Sequence, residues 1–387
     1  MSGLKFPVTG IGIISACGNN INETLISFQS LKRNGKKVSL FDSKIDCPVF
    51  EVNLKTSYKN MRTLDLALEA VKQAVEESKL LEVRENYRIG VCIGTTIASQ
   101  LNDINFYREY RKSGEAPIDS VNRYLNSNLA DAISKYYNFD GPKCTVANAC
   151  SSGTDAIGIG LSWLKADMCD IVICGGADEL NIVPLSGFFS LGVMSDELCK
   201  PFDKNRKGLN LGEGAGIIVI EKEEISKKRN MKSKFYVNGY GLSCDAYHLT
   251  APRPDGSGLS KAILKALEEA EIKPEDISFI NAHGTSTIDN DKTEGLVFKN
   301  LFGGKIDFLS TKGYTGHTLG AAGGIEAVFT ILGLKEGWIP ASIGFENIDE
   351  TIGLEPTRER REVKGKYALS TSLAFGGNNS ALIFSRE

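Results

Sequence analysis

The sequence predicts an α/β protein in which helices and strands form layers and one structural unit occurs twice. The chain has 387 residues, which exceeds the roughly 150 residues of a common single domain. Its 40 glycines often lie in pairs and triads beside β-branched runs, a composition typical of buried parallel strands with tight strand-to-helix turns. Several of these runs recur in the same order later in the chain, which is the pattern of an internal repeat.

Four pairs of segments carry the repeat. Residues 8–12 return as 237–241, 88–96 as 278–287, 143–150 as 308–312, and 171–177 as 368–377. Each pair alone is short, but the shared order indicates two copies of one βα unit. We place the boundary in the charged stretch 221–234, which is predicted to be a solvated helix end or loop. The two halves are then residues 1–234 and 235–387.

Apolar residues at intervals of three and four positions predict helices. They are Leu64, Leu68, Val71 and Val75, then Ile157, Leu161 and Leu164, then Leu259, Ile263 and Leu267, and finally Ile325, Val328, Phe329 and Leu332. Gly158 and Gly160 lie in the second helix, where each costs about 1 kcal/mol of helix propensity, so another element must pack closely there. We expect one glycine-containing helix from each half to lie back to back in the middle, which gives the layer order α/β/α/β/α.

The composition argues against several classes of protein. Hydrophobic residues make up 42% and charged residues 24% of the chain, as in a globular protein. The formal charge of −3, from 45 basic and 48 acidic residues, gives no broad basic field for nucleic acid. No apolar run reaches the roughly 20 residues of a membrane span, and residues 1–14 resemble a strand more than a signal peptide. The nine scattered cysteines predict a reducing, cytoplasmic location, and no cysteine–histidine cluster indicates a metal.

Cys150 lies between a predicted strand and the helix that follows it. A helix N-terminus presents unpaired N–H groups and a partial positive charge. These features favour a thiolate, lower the pKa of the thiol and can hold an oxyanion. The alternative is that Cys150 is a small buried apolar residue, as we expect for most of the other eight cysteines. The position of Cys150 alone leaves both interpretations open.

The three histidines of the chain narrow this choice. His283 follows a predicted strand within N-A-H-G-T-S-T, and His317 lies in K-G-Y-T-G-H-T-L-G-A-A-G-G just before a predicted helix. Both therefore lie in glycine-flanked turns near strand ends, where α/β folds place their sites. His248, in D-A-Y-H-L-T, lacks that setting and is predicted to be structural.

Seven motifs together resemble one family. They are A-C-S-S at 149–152, P-F-D-K-N-R-K-G with L-G-E-G-A-G at 201–216, D-A-Y-H at 245–248, N-A-H-G-T-S-T at 281–287, D-K-T-E at 291–294, T-K-G-Y-T-G-H-T-L-G-A-A-G-G at 311–324 and A-F-G-G-N-N at 374–379. In this order, and over nearly the whole chain, the sequence resembles the β-ketoacyl-acyl-carrier-protein synthases, condensing enzymes of the thiolase superfamily. The resemblance implies a duplicated thiolase-like fold.

The resemblance also implies a mechanism. A Cys-His-His set resembles elongating synthases of the I/II type, whereas priming synthases resemble a Cys-His-Asn set and thiolases a two-cysteine design. Cys150 would take an acyl chain from an acyl carrier protein as a thioester. His283 and His317, as neutral imidazoles, would donate hydrogen bonds to the malonyl thioester oxygen during decarboxylation. The product would be a β-ketoacyl carrier protein, and no metal or other cofactor is implied.

Further residues receive supporting roles from the same resemblance. Backbone N–H groups of Cys150 and Phe375 would hold the oxyanion, and Phe375 would gate the acyl pocket with Gly376 and Gly377 as the flexible part of its loop. Phe189 is a second, less specific pocket candidate.

Lys312 would act electrostatically on His283, with Glu326 as its partner, and Asp291 and Glu294 of the D-K-T-E motif would support the site. A surface Lys–Glu contact is the alternative for Lys312 and would contribute little. The surrounding G-A-A-G-G favours burial.

The chain departs from the family pattern beside the site. Asn148 stands where the family usually has threonine, and L-A-F-G-G-N-N replaces the usual F-G-F-G-G-T-N, with Leu373, Ala374 and Asn378. These changes leave the acyl specificity open, including aryl-polyene or polyketide assembly.

The sequence disfavours two alternative functions and one alternative interpretation of a motif. A silent partner subunit, like a chain-length factor, would lack the active cysteine, which Cys150 supplies. A thiolase acting on coenzyme A thioesters would not place a histidine at His317. A nucleotide-binding role for L-G-E-G-A-G is disfavoured because an apolar strand-like run, 217–220, follows it instead of a helix.

The resemblance finally implies protein partners. We expect a two-fold homodimer, or a heterodimer with a chain-length-factor-like subunit. An acidic carrier protein would need a local basic patch, for which the candidates are Lys59 and Arg62, with Lys55 nearby, and Arg206, with Lys204 and Lys207. A solvated face is the alternative for each cluster, and Arg206 is also a candidate structural residue of its motif.

Overall fold

The computed structural model describes residues 5–57, 61–97, 104–119, 121–122 and 128–387. The strands are β1 (Phe6–Ser15), β2 (Ile89–Gly94), β3 (Lys143–Val146), β4 (Ile171–Asp178), β5 (Gly214–Glu221), β6 (Phe235–Cys244), β7 (Ile277–Asn281), β8 (Asp307–Leu309), β9 (Trp338–Ile339), β10 (Arg361–Glu362), β11 (Tyr367–Ala374) and β12 (Asn378–Arg386). Most of the strands in the large sheet are buried, as the apolar, glycine-rich runs predict.

The helices alternate with these strands along the chain. They are α1 (Ile21–Gln29), α2 (Arg62–Ser78), α3 (Ile104–Ser113), α4 (Leu129–Tyr137), α5 (Ser152–Lys165), α6 (Ile182–Ser190), α7 (Glu223–Lys228), α8 (Ser257–Glu269), α9 (Ile288–Phe302), α10 (Lys312–Thr315) and α11 (Ala322–Glu336). Across the residues described, none of the helices combines the length and apolar character needed to cross a membrane.

Ten strands form one hydrogen-bonded series in the order β3-β2-β4-β5-β1-β6-β12-β11-β7-β8. Read from its two ends inward, this order matches β3 with β8, β2 with β7, β4 with β11, β5 with β12 and β1 with β6. The four repeated sequence segments lie on four of these five matched pairs, so the predicted duplication is confirmed. The two five-stranded halves are joined where Phe6 and Pro7 pair with Val237 and Tyr236.

Helices cover both faces of each half-sheet. The outer face of the first half-sheet packs against α2 and α4, and the outer face of the second packs against α8 and α9. Between the half-sheets, α5 lies mainly on β4 and β2, while α11 lies on β5, β4 and β11. The predicted layer order α/β/α/β/α is therefore present, with α5 and α11 as its middle layer.

The two middle helices touch at glycines near their N-termini. A Cβ atom on Gly153 would lie 2.7 Å from the backbone nitrogen of Gly324 and 2.8 Å from the carbonyl oxygen of Gly320. A Cβ atom on Gly323 would lie 2.6 Å from the backbone nitrogen of Thr154. Real Cβ atoms do not approach other atoms so closely, so only glycine allows this crossing.

Gly158 and Gly160, the glycines predicted to allow close packing, lie against the half-sheets. A Cβ atom on Gly158 would lie 2.4 Å from the ring of Tyr240, and one on Gly160 would lie 3.0 Å from Val172. The close packing expected of Gly158 and Gly160 is present, but their neighbours belong to the two half-sheets and not to the other middle helix.

The charged stretch 221–234 is only partly solvated. It contains the short helix α7, and Lys227 is exposed as predicted. Arg229, in contrast, forms a buried ion pair with Glu221 and donates to the carbonyl oxygen of Ser78. The prediction of a solvated segment is therefore wrong for Arg229, because its charge is matched by a carboxylate that the local charge pattern does not identify.

Candidate active site

Cys150 lies in a strained turn between β3 and α5. Ala149 has φ of +48°, a left-handed conformation that is unfavourable for a residue with a side chain. Ser152 holds the turn, since its hydroxyl accepts from the Asn148 N–H at 2.8 Å and donates to the Ala149 carbonyl at 2.6 Å. Cys150 is 4% exposed, and α5 begins two residues later.

The expected thiolate is not the resting form of Cys150. Burial raises the pKa of the Cys150 thiol to about 11, although the Lys312 charge and the Phe375 backbone N–H act to lower it. The expectation of a lowered thiol pKa is therefore wrong, because desolvation of the sulfur outweighs the favourable charges around it. The proton must then leave the sulfur as the bond to carbon forms.

His283 is held by hydrogen bonds to its backbone and to its ring. Its N–H and that of Gly284 donate to the two carboxylate oxygens of Glu294 at 2.8 and 2.6 Å. The ammonium of Lys312 donates to the His283 carbonyl at 2.6 Å and lies 3.1 Å from Nδ1. Since an ammonium has no acceptor, Nδ1 accepts and the ring proton resides on Nε2. Burial raises the pKa of Glu294 to about 7.

His317 has the same tautomer for a different reason. Its Nδ1 accepts from the Leu319 N–H at 3.1 Å, so its proton also resides on Nε2. The His283 and His317 rings are 5.2 Å apart and nearly perpendicular, at 87°. Burial and the Lys312 charge hold the pKa of both rings well below the ordinary value of 6.5. Two neutral imidazoles therefore each offer one N–H donor.

Lys312 and Glu326 form a buried ion pair behind His283. Both side chains are 2% exposed and in direct contact, so the predicted contact exists in the interior and not at the surface. Burial raises the pKa of Glu326 to about 7, although the Lys312 charge opposes this.

Asp291 and Arg206 belong to a second buried network. Asp291 accepts from the Phe202 N–H at 2.6 Å and the Ser286 N–H at 3.1 Å. The Arg206 side chain is 3% exposed, lies 3.7 Å from Asp291 and pairs with Asp349 at 2.6 Å. A docking role for Arg206 is therefore wrong, and the structural alternative holds, because its guanidinium fixes the segment that precedes α9.

The predicted docking role of Arg62 is also wrong. Its side chain is 11% exposed and makes a two-pronged contact with Glu213, with Nη2–Oε1 at 2.6 Å and Nε–Oε2 at 2.8 Å. A basic residue before an amphipathic helix indicates a solvated charge in general, but here a buried carboxylate lies opposite it. Lys59 lies outside the described residues, whereas Lys207 is exposed and lines the mouth of the site.

A cavity of about 230 Å³ connects the predicted residues. Cys150, His283, His317 and Phe375 all line it. Lys207, Asp245, Thr250, Thr285 and Thr287 also belong to its lining.

The aromatic partner of Phe375 is Phe188, which sequence reasoning missed. The Phe188 and Phe375 rings stack with centroids 5.4 Å apart, and Phe188 lies 6.3 Å from the His317 ring. Phe189 is 51% exposed and does not belong to the lining of this cavity, so its assignment to the acyl pocket stays a prediction. Helical spacing from the buried Leu185 does not distinguish the two phenylalanines, because positions three and four residues later both lie on the same face of α6.

His248, which the sequence predicts to be a structural residue, is exposed. Its Nδ1 accepts from the N–H groups of Thr250 and Ala251 at 3.1 and 3.2 Å, which orders the turn after β6. This contact agrees with the structural assignment.

The fold and the cavity together define the class of condensing enzymes with a thiolase-like fold. The N-terminal domain of Beta-ketoacyl synthase matches residues 9–225, and the C-terminal domain of Beta-ketoacyl synthase matches residues 235–346. The chain therefore belongs to the β-ketoacyl synthase family.

Individual relatives resemble the chain over nearly its whole length. The 3-oxoacyl-[acyl-carrier-protein] synthase 2 of Coxiella burnetii is 34% identical and covers 98% of both chains. The ishigamide ketosynthase/chain length factor has a TM-score of 0.93 at 29% identity, with 100% of both chains covered. A type II PKS acyl-carrier protein in complex with its ketosynthase has a TM-score of 0.91 at 25% identity, again with 100% of both chains covered.

Proposed function

We propose that this protein is an elongating β-ketoacyl-[acyl-carrier-protein] synthase, an acyltransferase that joins an acyl group to malonyl-acyl carrier protein with loss of CO2. The observation that carries the proposal is the shared cavity of Cys150, His283 and His317, in which both imidazoles are neutral and carry their proton on Nε2. The similarity to the 3-oxoacyl-[acyl-carrier-protein] synthase 2 of Coxiella burnetii supports the same reaction.

In the first step, the Cys150 sulfur attacks the thioester carbon of an acyl carrier protein. The new sulfur–carbon bond replaces the bond to the carrier thiol, which leaves with the proton that the Cys150 thiol loses. Negative charge develops on the carbonyl oxygen, and backbone N–H groups of Cys150 and Phe375 are the proposed donors to it. The support for Phe375 is that its N–H already faces the Cys150 sulfur.

In the second step, malonyl carrier protein occupies the emptied cavity. The bond between the malonyl carboxylate and its α-carbon breaks, CO2 leaves, and the electron pair passes to the thioester oxygen as an enolate. The Nε2–H groups of His283 and His317 are suited to stabilise that oxygen, because each can donate a hydrogen bond to the negative charge that develops on it. The enolate carbon then attacks the acyl carbon, and the Cys150 sulfur leaves as a thiolate that takes a proton from water.

Lys312 is proposed to hold the His283 ring in its orientation and tautomer. Its ammonium donates to Nδ1 and to the carbonyl oxygen of His283, while Glu326 balances its charge. Glu294 fixes the same turn from the other side through two backbone N–H groups. In this arrangement Lys312, Glu326 and Glu294 position the donor without touching the substrate.

The carrier protein is the proposed macromolecular partner. Lys207 is exposed at the cavity mouth, and Lys204 lies on the same exposed loop. These two cations replace Arg62 and Arg206 as the proposed docking charges for an acidic carrier. The neighbouring structure of a ketosynthase with its acyl-carrier protein supports a partner of this kind.

We further propose a dimer, acting in the cytoplasm. In the described part of the chain β3 ends the strand order and pairs on one side with β2, so its other edge is available to a second subunit. The ketosynthase/chain length factor neighbour supports a heterodimer as the second form. Nine free cysteines support a reducing compartment. We also propose that the boundary between the two halves of the fold lies between residues 234 and 235.

Mass spectrometry of acylated peptides tests the proposal. The protein is incubated with carrier proteins loaded with acyl chains of several lengths and then digested. We expect the acyl mass on the peptide that contains Cys150, and a β-ketoacyl carrier protein once malonyl carrier protein is added. The chain length that loads fastest also separates fatty acid synthesis from polyene or polyketide assembly.

The exposed Cys244 provides the matched control. Cys244→Ser should load and condense like the unaltered protein, while Cys150→Ser should not form a thioester. Acylation of Cys244 instead of Cys150, or condensation without an acyl-Cys150 species, would overturn the proposed function.

A further inference from the structure

Two asparagines that depart from the family pattern touch each other beside the cavity. Asn378 Nδ2 donates to Asn148 Oδ1 at 2.6 Å. Asn148 comes two residues before Cys150, while Asn378 is the first residue of β12. The hydrogen bond therefore connects the two halves of the fold next to the nucleophile.

A buried carboxylate sets the direction of this hydrogen bond. Asp155 is 3% exposed and accepts from Asn148 Nδ2 at 2.5 Å. It also accepts from Ser151 Oγ at 2.8 Å and Tyr240 Oη at 2.9 Å. Because the amide nitrogen of Asn148 is directed to Asp155, its amide oxygen faces Asn378, which must then donate.

Asn378 closes the hairpin that carries Phe375. Ala374 at the end of β11 pairs with Asn378, which leaves Phe375, Gly376 and Gly377 as the turn. The two glycines have φ of +87° and +82°, a region that glycine enters freely. The side-chain contact of Asn378 therefore restrains the end of a turn whose backbone could otherwise move.

We propose that Asn148 and Asn378 are a positioning pair that holds the Phe375 N–H toward the Cys150 sulfur. The pair connects the nucleophile turn with the residue after the Phe375 turn, so its loss releases one turn relative to the other. This inference deepens the proposed function and rests on it, because it assigns the pair to the acyl-transfer step.

Kinetics of three variants test the pair. Asn148→Ala, Asn378→Ala and the double variant are compared in transfer of the acyl group from carrier protein to Cys150. Breaking a neutral hydrogen bond changes an equilibrium by about three- to tenfold, so we expect Asn378→Ala to lower the maximal transfer rate by about that factor. Asn148→Ala, which also loses its hydrogen bond to Asp155, should lower it by at least as much. The concentration of carrier protein at half-maximal rate should change less than twofold.

The double variant distinguishes a pair from two separate residues. If Asn378 acts through its hydrogen bond to Asn148, the double variant should be about as slow as Asn148→Ala alone. Multiplication of the two single effects would overturn the proposal. The exposed Asn205 supplies the control, and Asn205→Ala should transfer at the unaltered rate.

Hydrogen–deuterium exchange tests the same pair without substrate. Asn378→Ala should speed amide exchange severalfold in the peptide containing Phe375, while the peptide containing His283 exchanges as before. Unchanged exchange at Phe375, or equal acceleration throughout the chain, would overturn the positioning role. Failure of the unaltered protein to acylate Cys150 would instead overturn the proposed function, and the exchange result would still decide whether the pair restrains the turn.

Discussion

The two strand-to-helix turns that feed the middle layer occupy matching places in the duplicated fold but have different contents. Residues 147–151 connect β3 to α5 and carry Cys150, while residues 310–321 connect β8 to α11 and carry Lys312 and His317. The second turn is longer because it includes α10 and a 3₁₀ turn at Leu319–Ala321. The first repeated unit thus supplies the candidate nucleophile. The second supplies His317, a hydrogen-bond donor, from a longer connection that contains α10 and a 3₁₀ turn.

The two turns nevertheless share one electrostatic property. Burial raises the pKa of Cys150 to about 11 and holds the pKa of His317 well below 6.5. A low-dielectric interior disfavours a thiolate and an imidazolium alike. Cys150 and His317 are therefore both neutral at rest, and charge develops at the reacting atoms only as the reaction proceeds.

Removal of the nucleophile should have the largest effect. We expect Cys150→Ala to abolish condensation, measured as β-ketoacyl carrier protein formed. Cys150→Gln should still decarboxylate malonyl carrier protein, because the histidine turns remain intact. Product formation by the alanine variant would show that the first turn does not carry the nucleophile.

Removal of the ion pair behind His283 should have the next largest effect. The double variant Lys312→Met/Glu326→Gln avoids leaving one buried charge without its partner. We expect kcat to fall about 10- to 100-fold with little change in KM, since a displaced donor can cost about that much.

The pH profile separates this electrostatic role from a simple loss of structure. Lys312 lowers the pKa of His283, so the double variant should raise that pKa. The activity lost on the acid side, where the imidazole becomes charged, should then begin at a higher pH. An unshifted acid limb would argue against action through His283.

Substitution at the helix crossing tests how closely the two turns must approach. In Gly153→Ala the new Cβ atom would lie 2.7 Å from the Gly324 backbone nitrogen. We expect a loss of about 1–3 kcal/mol in the free energy of unfolding from such overpacking, measured by urea denaturation. Gly187→Ala on α6 is the control, because a Cβ atom there meets nothing within 4 Å. Similar stability of the two variants would contradict the crossing.

The buried His317 should make stability depend on pH. Its pKa lies near 6.5 in the unfolded chain and well below that in the folded protein, so its contribution is complete above pH 6.5 and declines as the pH falls toward the folded value. The decline is about 1.4 kcal/mol per pH unit. Urea denaturation at about pH 7.5 and 5.5 should show a smaller loss for His317→Gln than for the unaltered protein. Equal losses would place a charged imidazole in the folded state.

Charge reversal at the cavity mouth should have the smallest effect. Lys207→Glu should slow acyl transfer from carrier protein a few-fold at low salt and less at high salt, since rim charges mainly affect the encounter rate. Transfer from a small thioester should be unaffected, and so should the stability. Equal slowing with both donors would show that Lys207 acts on the cavity itself.

Local patterns in the sequence predict the chemistry of the candidate site well. Cys150, His283 and His317 are identified from their positions at strand and helix ends, Phe375 is identified through the family resemblance, and all four line one cavity. Phe188 could not be chosen over Phe189 from the sequence, since both follow Leu185 at helical spacing. The pKa of Cys150 could not be predicted either, because the helix terminus was visible in the sequence while the desolvation of the sulfur depends on elements distant in the chain.

Basic residues show the limit of such patterns most clearly. Arg62, Arg206 and Arg229 resemble solvated charges in the sequence, yet each lies against a buried carboxylate: Glu213, Asp349 and Glu221. Their partners are 151, 143 and 8 residues away. For Arg62 and Arg206 the partner is beyond any local window, and for Arg229 the burial of both groups depends on the surrounding fold.

The sequence by itself determined the duplication, the order of the layers and the residue types of the site, because strand and helix periodicity and glycine-rich turns are encoded over short segments. Only the tertiary structure decided which charges are buried, which face of α6 reaches the cavity, and that Asn148 and Asn378 meet across 230 positions. The physical reason is that hydrogen-bond partners and desolvation arise from the packing of distant segments, which no local pattern specifies.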